Sequence, residues 1–216
     1  MSGADQQVEA RARRLDAGLE ALGIAADAEA RQRLLDYLAM MVRWNRIHNL
    51  TAVRDPLAMV DRHLLDSLAG LPWLPPGRLV DLGTGAGLPG IPIAIMEPDR
   101  PVALVDSAVK RTRFLTQVVG SLGLSRVTVH HSRGEDYVPE APCDVVVARA
   151  VTHLDGLVKL AAPMLAEQGS IVAWKGAWPE PEGPPGPDVL VESADRVVVP
   201  GEDGERHIVV ARPRLC

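Results

Sequence analysis

The stretch Val80-Asp81-Leu82-Gly83-Thr84-Gly85-Ala86-Gly87-Leu88-Pro89-Gly90 constrains this chain more than any other. An apolar strand runs into a glycine-rich turn, and an apolar helical segment follows. Glycine there lets the backbone turn sharply and lets a ligand approach main-chain atoms with no side chain between. Such a unit belongs to an open sheet whose ligands gather at the carboxyl ends of its strands. Gly85 to Gly90 matches G-x-G-x-x-G, and Asp106 follows about 20 residues on, where dinucleotide folds place an acid on a ribose.

Asp81 stands two residues before the first glycine, and D-x-G-x-G-x-G is the spacing of S-adenosylmethionine enzymes. Asp106 ends an apolar strand and suits the ribose of either adenosine cofactor, so NAD and S-adenosylmethionine both stay open.

From Gly77 onward, short apolar runs alternate with helical segments. Strands are predicted at Arg78–Leu82, Pro101–Asp106, Arg126–His130, Asp144–Arg149 and Ser170–Trp174, with helices over Leu88–Met96, Ala108–Leu122 and Leu154–Leu165. Strands apolar on both faces, joined by helical crossovers, make an α/β fold: a mostly parallel sheet with helices on both faces. Arg196–Val199 and His207–Arg212 flank a Gly201–Gly204 turn and predict an antiparallel pair at the edge. Before Gly77 the spacing predicts amphipathic helices over 8–23 and 28–48, then one over 56–70 with Asp55 as N-cap and Pro56 at its first position. The expected division is a helical cap over 1–76 and a cofactor-binding domain over 77–216.

The net charge of −5 argues at first against nucleic acid. Its distribution reverses the argument. Residues 177–206 hold eight acids and two bases, a sum of −6, so the remainder sums to +1 and leaves room for a basic face. Aromatics at 3% are too sparse for base-stacking platforms. Arg43, Arg46, Arg54, Arg62, Lys110, Arg111 and Arg113 are candidate phosphate contacts. The start is polar, no run approaches the roughly 18 apolar residues of a membrane span, and Cys143 and Cys216 cannot make a disulfide framework. A cytoplasmic chain, monomeric and without membrane contact, is expected.

Ser132-Arg133-Gly134-Glu135-Asp136 follows the third strand, where such folds bind an adenine ring. Arg149 closes the fourth strand, and an arginine there needs an anionic partner; ligand and internal salt bridge are both open. Cys143 precedes its strand at the edge away from any cofactor and reads as a buried structural thiol. His130-His131 lacks partners at metal-ligand spacing, so no metal is expected. His48 and His63 read as RNA contacts or as cap and core residues.

Beyond the glycine loop, the blocks Trp44-Asn45, Asn49 to Pro56, Arg62-His63-Leu64-Leu65-Asp66-Ser67, Lys110-Arg111, Phe114-Leu115, Arg149-Ala150 and Lys175-Gly176 resemble one family, the glucose-inhibited-division-B type of small-subunit ribosomal RNA guanine-N7 methyltransferases. The resemblance runs from the second helix almost to the end. It implies a Rossmann-like methyltransferase fold with an amino-terminal helical cap, S-adenosylmethionine as donor, and 16S rRNA or the small ribosomal subunit as partner. It places cofactor contacts on Gly83, Leu88, Gly134, Glu135 and Arg149, beside Gly85 and Asp106 from the motif, with Arg149 as a positioning residue. RNA contacts then fall on Arg54, Arg62, His63, Lys110, Arg111, Arg113 and Lys175. Guanine N7 carries a lone pair and no proton, so no general base is required, and none stands out. The alternatives are a small-molecule or protein N-methyltransferase, an NAD-dependent oxidoreductase, and a noncatalytic RNA-binding module with a relic cofactor site.

Overall fold

The structure, a computed structural model, describes residues 3–149, 153–179 and 183–214. Cys216, Ala150 and the loop acids Glu180 and Glu182 lie outside the described residues. Two helices lead, α1 (Gly3–Ala21) and α2 (Ala28–His48). Asp27 caps α2 by accepting from Ala30 N at 2.7 Å, and Asn49 ends it in the left-handed region at φ 50°. Asp55 caps the next helical run as expected, accepting from the amides of Leu57 and Ala58. That run is not uniform. It comprises α3 (Pro56–Met59), a π-helical segment (Val60–Leu65) and α4 (Asp66–Leu68), ending two residues earlier than expected. A π segment rotates the side chains that follow it, and such insertions recur at functional sites.

Then come β1 (Leu79–Leu82), α5 (Gly90–Met96), β2 (Val102–Asp106), α6 (Val109–Leu122), β3 (Val127–His131), β4 (Cys143–Arg149), α7 (Leu154–Ala161), β5 (Leu165–Lys175), β6 (Val189–Arg196) and β7 (His207–Pro213). The sheet order is β3-β2-β1-β4-β5-β7-β6. The first five strands are parallel, while β7 runs antiparallel to both β5 and β6. Strand order reverses between β1 and β4, which opens the crevice at their carboxyl ends.

The edge hairpin corrects one expectation. Its outer strand is Val189–Arg196, not Arg196–Val199; of the expected stretch, Arg196 is the last residue of the ladder, and beyond it Val197 N still bonds Arg206 O. The strand is half exposed, carries Glu192, Asp195 and Arg196, and bulges between Val191 and Ser193. Charges and bulges on an edge strand block pairing with other chains, and they also hide the strand from an apolar pattern.

Side chains alternate across the sheet. Leu79, Leu104, Val145, Val147 and Val172 face a core shared with Leu34, Leu38, Leu64, Leu68 and Phe114. Val80, Leu82, Val146, Ala148 and Ile171 face a smaller core with Leu154, Leu157 and Val158 of α7. The amino-terminal helices therefore bury their apolar stripes against one face of the sheet, with α2 packed on α5 and α6. No helix among the described residues is long and apolar enough to cross a membrane.

Candidate functional site

The glycine loop leaves β1 with Gly83, Gly85 and Gly87 all at positive φ, 66°, 62° and 98°. These glycines have different tasks. A Cβ at Gly85 would meet nothing nearer than Gly83 O at 3.9 Å, so this turn presents bare backbone to open space. A Cβ at Gly90 would lie 2.4 Å from Leu104 Cδ2 and 2.6 Å from Asp81 Oδ2, so Gly90 serves the close packing of α5 on the sheet.

Two carboxylates hold the loop. Asp106, almost fully buried at the end of β2, accepts from Gly85 N at 2.9 Å and from Ala108 N at 2.8 Å, with Arg111 Nη1 at 3.3 Å. Asp81 accepts from Thr84 Oγ1 at 2.6 Å and Gly90 N at 2.8 Å through Oδ2, while its buried Oδ1 has no hydrogen-bond partner among the described residues. Burial pushes Asp81 up to about 6, and those two hydrogen bonds moderate the rise. The helical region contributes directly as well. The buried Tyr37 hydroxyl of α2 donates to Ala86 O at 2.7 Å and clamps the loop from outside.

Two cavities share a wall here, and one of them opens on this loop. One, of about 240 Å³, is lined by Gly83, Gly85, Leu88, Thr51, Arg111 and other residues around them. The second, of about 450 Å³, lies beyond the ends of β4 and β5 and includes Arg62, Trp174, Lys175, Glu202 and Arg206. His63 and Arg149 line both. His63 Nε2 bonds Thr51 Oγ1 at 2.9 Å, while its buried Nδ1 has no hydrogen-bond partner among the described residues. Burial, then the Arg149 charge, lowers His63 to about 4. Arg149 donates to Asp66 Oδ2 and to Arg62 O, both at 2.7 Å, so its anionic partner is internal. Asp66 also accepts from Arg206 Nε at 2.7 Å through its other oxygen.

Of the residues singled out from sequence, Gly83, Gly85, Leu88, Asp106 and Arg149 come together here. Gly134 and Glu135 sit in a short 3-10 turn after β3 and do not line the cavity; Ser132 N bonds Asp106 O and ties their segment to it. Among the basic candidates, Arg111 stands inside the loop cavity, while Lys110 and Arg113 are exposed on α6. Arg54 braces the turn after α2 by donating to Asn45 O and Asn49 Oδ1. Cys143 is buried at the opposite edge, its thiol pushed up to about 11 by burial. No cluster able to hold a metal occurs among the described residues. Tyr37, Asp66, Glu202 and Arg206 went unassigned in the sequence; only Asp66, an acid inside an apolar helical run, left a readable signal.

The GidB family model, described as rRNA small subunit methyltransferase G, matches residues 30–209. The chain belongs to this family. The match decides between the methyltransferase and nicotinamide readings that the glycine spacing left open. A ribosomal RNA small subunit methyltransferase G from Marinobacter nauticus is 45% identical over 194 residues, covering 89% of this chain and 91% of its own. Another from Pseudomonas paraeruginosa is 44% identical, covering 90% and 92%. Among solved structures, TrmN from Thermus thermophilus aligns at a TM-score of 0.54 and 19% identity, over 80% of this chain and 52% of that one. A SAM-dependent methyltransferase from Geobacter sulfurreducens, in complex with S-adenosyl-L-homocysteine, aligns at 0.53 and 15% identity, over 82% and 98%. At such identities these likenesses speak for the fold, and the chain has the Rossmann-like methyltransferase fold.

Proposed function

We propose that the protein transfers a methyl group from S-adenosylmethionine to N7 of a guanine in 16S ribosomal RNA. The observation that carries this reading is the Gly85–Asp106 hydrogen bond at the reversal point of the sheet. It holds bare, left-handed backbone beside a buried carboxylate and open space. That cradle fits an adenosine cofactor: Asp106 for the ribose, Gly83, Gly85 and Leu88 for close backbone approach, Gly134 and Glu135 for the adenine end, and Arg149 at the far wall.

The bound cofactor supplies an electrophilic methyl on a sulfonium. The protein's part is to align the acceptor with it and to exclude water. Guanine N7 attacks through its in-plane lone pair, so no side chain needs to take a proton. His63 is compatible with that requirement, because its lowered value makes it a weak proton acceptor and its Nε2 is bonded to Thr51 Oγ1. Arg54, Arg62, His63, Lys110, Arg113 and Lys175 are assigned to RNA and Arg111 to the cofactor cradle, with residues 1–76 as the platform and 77–216 carrying the cofactor. The small ribosomal subunit or its free RNA is the partner, and the cytoplasm is the compartment. One chain contains both cavities, so a monomer suffices.

The test is incubation with methyl-labelled S-adenosylmethionine and either free 16S rRNA or small subunits, followed by digestion to nucleosides. Label in 7-methylguanosine is expected. Label in an exocyclic-amine product, or in no nucleoside, overturns the reading.

A further inference from the structure

The larger cavity has a charge pattern that the donor site does not explain. Its lining holds four cations, Arg62, Arg149, Lys175 and Arg206, against two carboxylates, Asp66 and Glu202, a net of +2. At about 450 Å³ it falls in the roughly 300–1,000 Å³ range of small-ligand pockets. The two carboxylates are not equivalent. Each Asp66 oxygen takes an arginine at 2.7 Å, which consumes that group in structure. Glu202 Oε1 takes Arg62 Nε at 2.8 Å, whereas Oε2 has, among the described residues, only Arg206 Nη2 at 3.9 Å, beyond hydrogen-bond reach. The Arg62 side chain is 55% exposed, and its terminal nitrogens have no hydrogen bond among the described residues.

We infer that this cavity receives the acceptor nucleotide and that Glu202 reads its base as guanine. The inference rests on the guanine-N7 reading above and deepens it. Guanine offers two adjacent donors, N1–H and the 2-amino group, which a carboxylate accepts together. Adenine offers an acceptor at N1 and meets repulsion. The N7 atom lies on the opposite side of the purine from those donors. Glu202 lines only the larger cavity, while His63 and Arg149 line both. A base held at Glu202 by its N1 edge therefore turns N7 toward the wall shared with the glycine loop. Arg62, at the mouth, takes the phosphate through its free nitrogens.

The experiment is calorimetric or ligand-observed NMR titration of the protein, saturated with S-adenosylhomocysteine to block the donor site, with guanosine, inosine and adenosine monophosphates. Inosine keeps N1–H and lacks the 2-amino group. Guanosine monophosphate is expected to bind at least about tenfold more tightly than inosine monophosphate, and adenosine monophosphate more weakly still. Glu202→Gln is expected to bring guanosine and inosine monophosphates within about threefold of each other, with S-adenosylhomocysteine affinity unchanged. Equal binding of the three nucleotides by the unaltered protein overturns the inference without recourse to any variant. So does a Glu202→Gln protein that keeps the full preference. Nucleoside analysis of unaltered protein separates the two levels: 7-methylguanosine formed without nucleotide preference rejects the Glu202 role alone, and its absence rejects the reaction.

Discussion

The Arg149 guanidinium and the Asp66 carboxylate meet at 2.7 Å, joining the end of β4 to the helical region 83 positions earlier in the chain. Asp66 is nearly sealed from solvent, with a side-chain exposure of 3%, and its second oxygen holds Arg206 from the edge hairpin. One carboxylate thus fixes two cations that line the larger cavity. Removing one member of a buried pair leaves the others uncompensated. Asp66→Ala is expected to lose about 3 kcal/mol of stability in chemical denaturation, the low end of the usual range because Arg206 is partly solvated. Arg149→Ala keeps Asp66 paired with Arg206, so a smaller loss of about 1–2 kcal/mol is expected. The same variant lowers single-turnover methylation. Equal stability losses from the two substitutions would contradict the hub role of Asp66.

The loop glycines separate binding from packing. Gly85→Ala adds a methyl into open space but forces a left-handed conformation at φ 62°, a cost of about 1–2 kcal/mol. Its larger effect is expected on S-adenosylmethionine affinity, and Gly85→Asp, which puts a second anion beside Asp106, abolishes binding. Gly90→Ala meets Leu104 and Asp81 at contact distances no real Cβ keeps, so about 1–3 kcal/mol of stability goes. Calorimetry and thermal melting on the three variants check the contrast. Unimpaired binding by Gly85→Asp would refute the cradle.

Arg111 and Arg113 are two positions apart on α6 and are expected to part company. Arg111 pairs with buried Asp106 at 3.3 Å, whereas Arg113 is exposed and forms no ion pair among the described residues. Arg111→Glu is therefore expected to cost cofactor affinity. Arg113→Glu is expected to weaken RNA binding, leave cofactor binding intact and reduce the slope of log affinity against log salt by about one or two contacts. Titrations at several salt concentrations decide this; loss of cofactor binding in Arg113→Glu would refute the division.

How legible was all this in the residues? The inner parallel strands were readable because both of their faces are buried, and the cap at Asp55 because a short polar side chain before a proline marks a helix start. The outer hairpin strand was missed because Val189–Arg196 lies half in solvent and carries charges, which an apolar count takes for loop. The donor site was legible because its parts lie close in sequence, around one turn and one strand end. The larger cavity was not. Arg62, Asp66, Arg149, Glu202 and Arg206 meet only after the chain folds, and no local pattern couples an acid at 202 to an arginine at 62.

Asp81 predicts a pH signature in stability. Its folded-state value lies near 6, above the usual 3.8, so the native state binds more protons between those values. The contribution is fully present below about pH 4 and is lost as pH rises through 6. The loss is of order 3 kcal/mol at about 1.4 kcal/mol per unit. Asp81→Asn removes the ionisation and keeps an oxygen for Thr84 and Gly90. Its stability relative to the unaltered protein is expected to improve as pH rises from about 4 to about 6.5 and to level off above that. A difference in melting temperature that stays flat across that range would contradict the buried-carboxylate argument.

The chemical step carries a different signature. An amine or hydroxyl acceptor must lose a proton before or during transfer, so its rate climbs with pH until the base is fully deprotonated. Guanine N7 has no proton to lose. His63, at the wall between the cavities, is already neutral at about two units above its lowered value, and its Nε2 is committed to Thr51. Single-turnover methylation of RNA is therefore expected to be flat between about pH 6.5 and 9, the window in which an ordinary histidine base completes its titration. His63→Gln is expected to keep that flat shape while lowering the rate through lost packing at the shared wall. A tenfold rise per pH unit would replace N7 chemistry with amine methylation. A rise that His63→Gln abolishes would make His63 the base.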